Sequence, residues 1–300
     1  MEKLFHFTTS TRCLQWFNND WTEIEDFLQK HNLNGIELGL FPDYPIKHIP
    51  KHVATGIHLS FYPEWLEFDK EPMIASYKLQ YQKAKQLGAK YMVFHVSHVR
   101  PVDTFTWKFD YTDEVVVDAT IDLLNCIFPQ DEDGPMLLFE NLWWPGLTFL
   151  DKNICRKLLD KVKYKNKGFV LDISHLILMN KSIDSDDKAY NFIKKVMSNL
   201  ETFKSYFKVI HINKTLPKHY MKQNHMYKLE SYNLAKDESI KKKILLSHIK
   251  KMDPHLPFDS PFINDIVNLV DPKFCVYETS PKDIYELNYF VKTQNSFFSS

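Results

Sequence analysis

Glycine is scarce, with seven in 300 residues. Neither GxGxxG nor GxxxxGK(S/T) occurs, which excludes the glycine-rich loops that cradle dinucleotides and nucleoside triphosphates. Cysteine is as sparse, and residues 13, 126, 155 and 275 fit no metal or redox spacing. Cys126 and Cys275 stand in apolar runs and are expected to be buried thiols in a reducing compartment. An excess of either charge is also missing, since 38 Lys+Arg balance 38 Asp+Glu. A protein that coats nucleic acid through its overall charge is therefore not expected. No apolar run approaches the roughly 18 residues needed to cross a membrane, and residues 1–20 contain no apolar leader segment. The expectation is a cytoplasmic protein without a membrane partner.

What the chain does contain is a series of short apolar runs, at 4–7, 35–40, 56–61, 91–96, 136–139, 168–173, 207–212 and 274–277. Most are continuous rather than alternating, the pattern of strands covered on both faces in a parallel sheet. Helical periodicity lies between them. Residues 21–31 carry Ile24, Phe27 and Leu28 on one face behind Asp20 as N-cap, and 71–87 end at Gly88. Further helices are expected over 115–128, 152–162 and 187–203, the last being the longest. Ser280-Pro281 is expected to open the final helix. This alternation predicts an α/β fold, a (β/α)8 barrel formed by residues 1–300 as a single domain. The competing architecture is a doubly wound sheet. The largest excess, 214–273, forms an enlarged loop between strands seven and eight, and such loops often carry function.

The strand ends carry the chemistry. Strand three ends at His58, strand four at His95 with His98 beyond it, and strand five at Glu140. Strand six ends at Asp172 with His175 beyond it, strand seven at His211 and strand eight at Glu278. A lone histidine at a strand exit is ordinary. Six consecutive strands ending in imidazole or carboxylate at one phase are not, and within the runs only Glu37 and His6 add to them. In a barrel these ends converge on one face, where active sites are built. Imidazole and carboxylate without thiolate suit Zn, with Mn, Fe and Co as alternatives. The set exceeds the needs of one tetrahedral ion, so either several ions share it or some members move protons.

The motifs GIEL (35–38), GIHLSF (56–61), VFHVSH (93–98), LLFEN (137–141), VLDISH (170–175), VIHINK (209–214) and VYETS (276–280) follow one another in register. In these the chain resembles the xylose isomerase-like TIM barrel superfamily. That superfamily includes the endonuclease IV (AP endonuclease family 2) branch, sugar isomerases and epimerases, and hydrolases that cut the nucleotide loop of cobamides. By position, the isomerase branch implies one ion held by Glu140, Asp172, His211 and Glu278, with the two glutamates moving a proton. The endonuclease IV branch implies two or three ions. His58, His95 and Glu140 hold the first; Glu140, Asp172, His211 and Glu278 hold the second. His175 and an Asp-x-His pair after strand seven hold a third. Gln223-Asn224-His225 is the expected counterpart of that pair, without the aspartate, and His219 competes with His225.

Around these ligands, Trp143 and Trp144 follow Glu140 and could stack on a base, sugar or flat ring. Phe61, Tyr62 and Trp65 follow His58. Lys214 is a candidate to meet a substrate anion, as are Arg12 and Arg100. Lys241–Lys243 with Lys250-Lys251 read as the solvated face of a helix whose Ile244, Leu245 and Ile249 point inward, with nucleic acid as the weaker alternative. The leading expectation is a zinc-type hydrolase acting on a phosphoester of a small molecule, such as a cobamide. A sugar or sugar-phosphate isomerase or epimerase and an abasic-site endonuclease are the alternatives. Oligomeric state is left open.

Overall fold

Eight short strands run parallel in the computed structural model, which describes residues 1–41, 43–130 and 134–298. They are β1 (Glu2–Thr8), β2 (Gly35–Gly39), β3 (Ala54–His58), β4 (Tyr91–His95), β5 (Met136–Glu140), β6 (Lys167–Asp172), β7 (Phe207–Ile212) and β8 (Phe274–Tyr277). Each pairs with its sequence neighbour, and β8 returns to β1, so the sheet closes into a barrel with helices outside. The doubly wound alternative is thereby excluded.

Successive side chains of a strand point to opposite faces. The outward set, including Phe5, Ile36, Ile57, Met92, Phe139, Leu171 and Ile210, packs against the helices in the main core. The inward set makes a core of its own: Leu4, Tyr91, Val93, Leu138, Val170, Val209, Phe274 and Val276. Each such Val, Leu or Phe contributes roughly 1.5–3 kcal/mol by leaving water. Both faces being apolar is why the runs look continuous. Stepping two residues along the inward face from 4, 93, 138, 170, 209 and 276 gives His6, His95, Glu140, Asp172, His211 and Glu278. The chemistry is therefore one tier of the barrel interior, resting on an apolar tier.

β3 has no side chain to offer that apolar tier at Gly56. A Cβ there would lie 2.3 Å from Tyr91 Cζ. The missing atom makes room for the Tyr91 ring, whose hydroxyl donates to Glu37 at 2.9 Å.

Local signals set the helix ends. Asp20 accepts from Thr22 N at 2.9 Å, and Gly88 adopts φ 72° to close Glu71–Leu87. Three expectations need correcting. The longest helix is Glu71–Leu87, because the segment after β6 breaks at Leu200 into Asp186–Asn199 and a 3-10 turn, Glu201–Tyr206. The final helix opens at Ile284, not at Pro281, because Asp283 caps it by accepting from Glu286 N at 2.8 Å. Cys275 is buried as expected, but Cys126 lies on the exposed face of its helix. Among the described residues, no helix is long and apolar enough to cross a membrane.

The excess between β7 and β8 is helical. Met226–Leu234 and Glu238–Met252 pack on Pro101–Thr106 after β4. Phe262–Val270 instead packs outside the barrel on Asp186–Asn199. On Glu238–Met252, Ile244, Leu245 and Ile249 are half-buried, whereas Lys242, Lys243 and Lys250 are exposed.

Candidate metal centre

Glu140 occupies the middle of the polar tier, fully buried. Its Oε2 lies 3.3 Å from both His58 Nε2 and His95 Nε2. Its Oε1 lies 3.3 Å from both His175 Nδ1 and His211 Nδ1. His211 Nδ1 also lies 2.7 Å from Glu278 and 3.7 Å from Asp172. On the far side of His175, its Nε2 is 3.2 Å from Asp253, which is 2.6 Å from His255 Nε2. Among the described residues donor atoms thus gather in five overlapping groups: His58, His95 and Glu140; Glu140, Asp172, His211 and Glu278; His175, Asp253 and His255; His58, His211 and Glu278; and His6, Glu37 and His58. Within each, the atoms lie within 4.8 Å of one another.

The groups fit divalent ions on two observations. Both oxygens of Glu140, His58 Nε2, His211 Nδ1 and Glu278 Oε2 are buried without a hydrogen-bond partner, although other donors and acceptors are close. Such atoms are costly unless something else engages them. The donor set, imidazole nitrogen and carboxylate oxygen, is also that of zinc and its first-row neighbours.

Neighbouring groups fix the orientation of these side chains. His211 Nε2 donates to Glu37 at 3.1 Å, which leaves Nδ1 to face the carboxylates. His175 Nδ1 donates to the Asn141 carbonyl at 2.9 Å, which leaves Nε2 for Asp253 and His255. These tautomers follow from the hydrogen-bond network. Asp172 accepts from His175 N at 2.7 Å and from Asn213 Nδ2 at 2.7 Å. Ser174 Oγ donates to Asp253.

Electrostatics follow from packing carboxylates into a dry tier. Burial pushes His58 down, but Glu140, Glu37 and Glu278 outweigh it and raise its pKa to about 9. The same contest raises His255 to about 9, against Asp253, and lifts His175 and His211 well above the ordinary range. Burial pushes Glu37 up, but His211 and His6 bring it down to about 2. Asp172 is raised by burial and by Glu278 and Glu140. His95 is lowered, burial being the larger influence.

The structure brings together His58, His95, Glu140, Asp172, His175, His211 and Glu278. It does not bring His225 to them. His225 Nε2 bonds the Tyr220 carbonyl at 3.0 Å, and its ring packs on Tyr220 and His248. His219 is exposed on the short helix Lys218–Met221. The Asp-x-His pair that meets His175 is Asp253-Pro254-His255, so the aspartate is present after all. The spacing was legible in the sequence, but the pair stands at the far end of the insertion. Glu37 and His6 complete the tier, with His6 Nδ1 3.7 Å from Glu37.

The substrate candidates divide. Trp143 and Trp144 are buried side by side at 4.4 Å, with Trp143 4.9 Å from His175 and Trp144 stacked on Phe61, which touches His95. They wall the centre. Tyr62 turns away to Ser76 Oγ at 2.9 Å and to the Tyr77 ring. Trp65 is fastened to the Ser97 carbonyl at 2.9 Å. The Lys214 ammonium is paired with Asp186 at 3.2 Å and with Asp259. Arg100 is paired with Asp103 and Asp110 at 2.8 and 2.5 Å.

The family model described as xylose isomerase-like TIM barrel matches residues 5–259. No curated protein matches the chain. Endonuclease IV from Thermus thermophilus superposes with a TM-score of 0.54 at 15% identity, covering 99% of this chain and 98% of that one. A D-tagatose 3-epimerase-like protein gives 0.57 at 14%, covering 99% of each. IOLI, a protein solved with a binding zinc atom, gives 0.52 at 13%, covering 99% and 96%. At such identities these likenesses speak to the fold alone.

Proposed function

The chain belongs to the xylose isomerase-like TIM barrel family, and from that premise we propose that it is a multi-ion, zinc-type hydrolase of a small-molecule phosphoester. The observation that carries this reading is the pair Asp253 and His255 beside His175. With His58 and His95, it extends the four-residue group around Glu140 in both directions, beyond what a single ion requires. Divalent ions bound there supply Lewis acidity and lower the pKa of water toward neutrality.

The residues then have distinct tasks. Glu140 contributes oxygens to two of the groups. His211, held by Glu37, keeps Nδ1 toward Asp172 and Glu278. Glu278 is the ligand carboxylate with an edge open to solvent, its side chain 10% exposed. In this reading it accepts the proton from the attacking water. Trp143, Trp144 and Phe61 exclude bulk solvent from the His95 and His175 side.

A second reading is favoured by the compactness of the Glu140, Asp172, His211 and Glu278 group. On its own that group would serve one ion, with the two glutamates moving a proton between adjacent carbons of a sugar. Elemental analysis of protein purified without added metal separates the readings. Hydrolase chemistry predicts more than one equivalent, part of it lost in His58→Ala and part in Asp253→Ala, together with cleavage of 4-nitrophenyl phosphoesters. A single equivalent retained in both variants, with ketose interconversion and no ester cleavage, would establish the isomerase instead.

A further inference from the structure

His255 and Glu278 share more than the metal centre. Both line a cleft of about 550 Å³ that opens between the segments following β1 and β8. This is the volume of a small-molecule site. Trp16 and Phe41 give it apolar walls, and Arg12, Ser10 and Ser280 also line it. On the opposite side, Trp143 and Trp144 form one hydrophobic cluster with Met252 and Ile249 of the helix Glu238–Met252, whereas this cleft is an open approach to the centre.

Of the three cations that the sequence offered to an anion, Lys214 and Arg100 are neutralised by carboxylates. Arg12 is not. It is exposed, its guanidinium lies 5.5 Å from the Trp16 ring, and among the described residues no carboxylate pairs with it. Stacking on an aromatic face orients a guanidinium without consuming its donors, and its fork matches carboxylate or phosphate oxygens. A second cation stands at the same rim, since the Lys250 ammonium donates to the Ser280 carbonyl at 3.3 Å.

We infer that this cleft receives a substrate carrying an anionic group remote from the reacting bond, and that Arg12 binds that group. The inference rests on the proposed function for the position of the reacting bond, at the His255 and Glu278 end. A flat or apolar body would lie along Trp16 and Phe41, and the remote group is a carboxylate or a phosphate.

Calorimetric titration of the protein as purified tests it with non-hydrolysable probes. Benzylphosphonate carries one anion, 4-carboxybenzylphosphonate adds a carboxylate, and 1,4-xylylenediphosphonate adds a phosphonate. At least one added anion should tighten binding about tenfold or more. Arg12→Ala should abolish that gain and leave benzylphosphonate unchanged, while Arg12→Lys keeps part of it. The larger gain assigns the remote group as carboxylate or phosphate. Equal affinities for all three probes, or a gain that survives Arg12→Ala, would overturn the inference. A fourth probe, 4-methylbenzoate, lacks the phosphonate, and the part of its affinity lost in Arg12→Ala reports on Arg12. If the metal reading fails, benzylphosphonate binds no better to the wild type than to Glu140→Gln, yet 4-methylbenzoate still loses affinity in Arg12→Ala.

Discussion

Glu37→Gln isolates the charge behind the metal centre from its geometry. Tyr91 Oη and His211 Nε2 both donate to the same oxygen of Glu37, at 2.9 and 3.1 Å. A glutamine carbonyl can accept both bonds, so the shape is kept and one negative charge is removed. Burial opposes a proton on the His211 imidazole, but the carboxylates, Glu37 first among them, outweigh it and leave the ring strongly disposed to hold one. An ion at Nδ1 therefore displaces a proton, and the two differ by one unit of charge. At roughly 6 Å across the ring, with an effective dielectric of about 20, that unit interacts with Glu37 by about 2.8 kcal/mol. Outer partners of metal-binding histidines are typically worth about ten- to hundredfold in affinity, or roughly 1.4–2.7 kcal/mol, so the two scales agree. Competition with a chelating indicator at neutral pH should show Glu37→Gln weaker by that factor, with the native melting profile retained when saturated with zinc. Unchanged affinity would refute the argument that this carboxylate acts through His211.

Asp253→Ala should lower bound metal, whereas His225→Ala should leave it unchanged; elemental analysis of both checks the placement of the Asp-x-His pair. Gly56→Ala must push the Tyr91 ring aside, since the new Cβ would fall 2.3 Å from Cζ. The expected loss is about 1–3 kcal/mol in denaturant unfolding, as for other overpacked cores. Burial lowers His248 to about 4 from an ordinary 6.5 and outweighs its hydrogen bond to the Thr104 carbonyl, which acts the other way. Between those values the unfolded chain binds a proton that the native chain refuses, so stability is full above about pH 6.5 and falls as pH drops toward 4. Allowing for solvent screening, this amounts to roughly 2 kcal/mol. Urea unfolding at both ends of the range should show a smaller acid loss in His248→Gln than in the wild type, and equal losses would exclude this histidine as the cause.

The barrel was legible because parallel strands buried on both faces leave continuous apolar runs, and the polar tier was legible because its residues extend one inward row per strand. What stayed hidden depends on contacts distant in sequence. Asp253 and His255 sit in an aperiodic segment, His255 at φ 49°, and reach the centre only because the insertion folds back until Ser174 meets Asp253, 79 residues away. Lys214 looked free because its partners, Asp186 and Asp259, are 28 and 45 residues distant. Tyr62 looked like part of the mouth, but helix Glu71–Leu87 offers it Ser76 and Tyr77. Cys126 illustrates the limit of a local apolar run, which names a helix but not the side of it that faces out.

The shortest strand, β8, has four residues and closes the barrel against β1. Glu278 follows it at once and meets His211 from β7 and His58 from β3. β8 is also the last of the eight strands to be synthesised. A nascent chain that has not yet delivered it has neither a closed sheet nor a finished set of ligands, however many histidines it already displays. In the proposed metal-binding role, ion capture by the Glu278 group would wait until the barrel can shut, so that closure of the scaffold and completion of its chemistry become a single event.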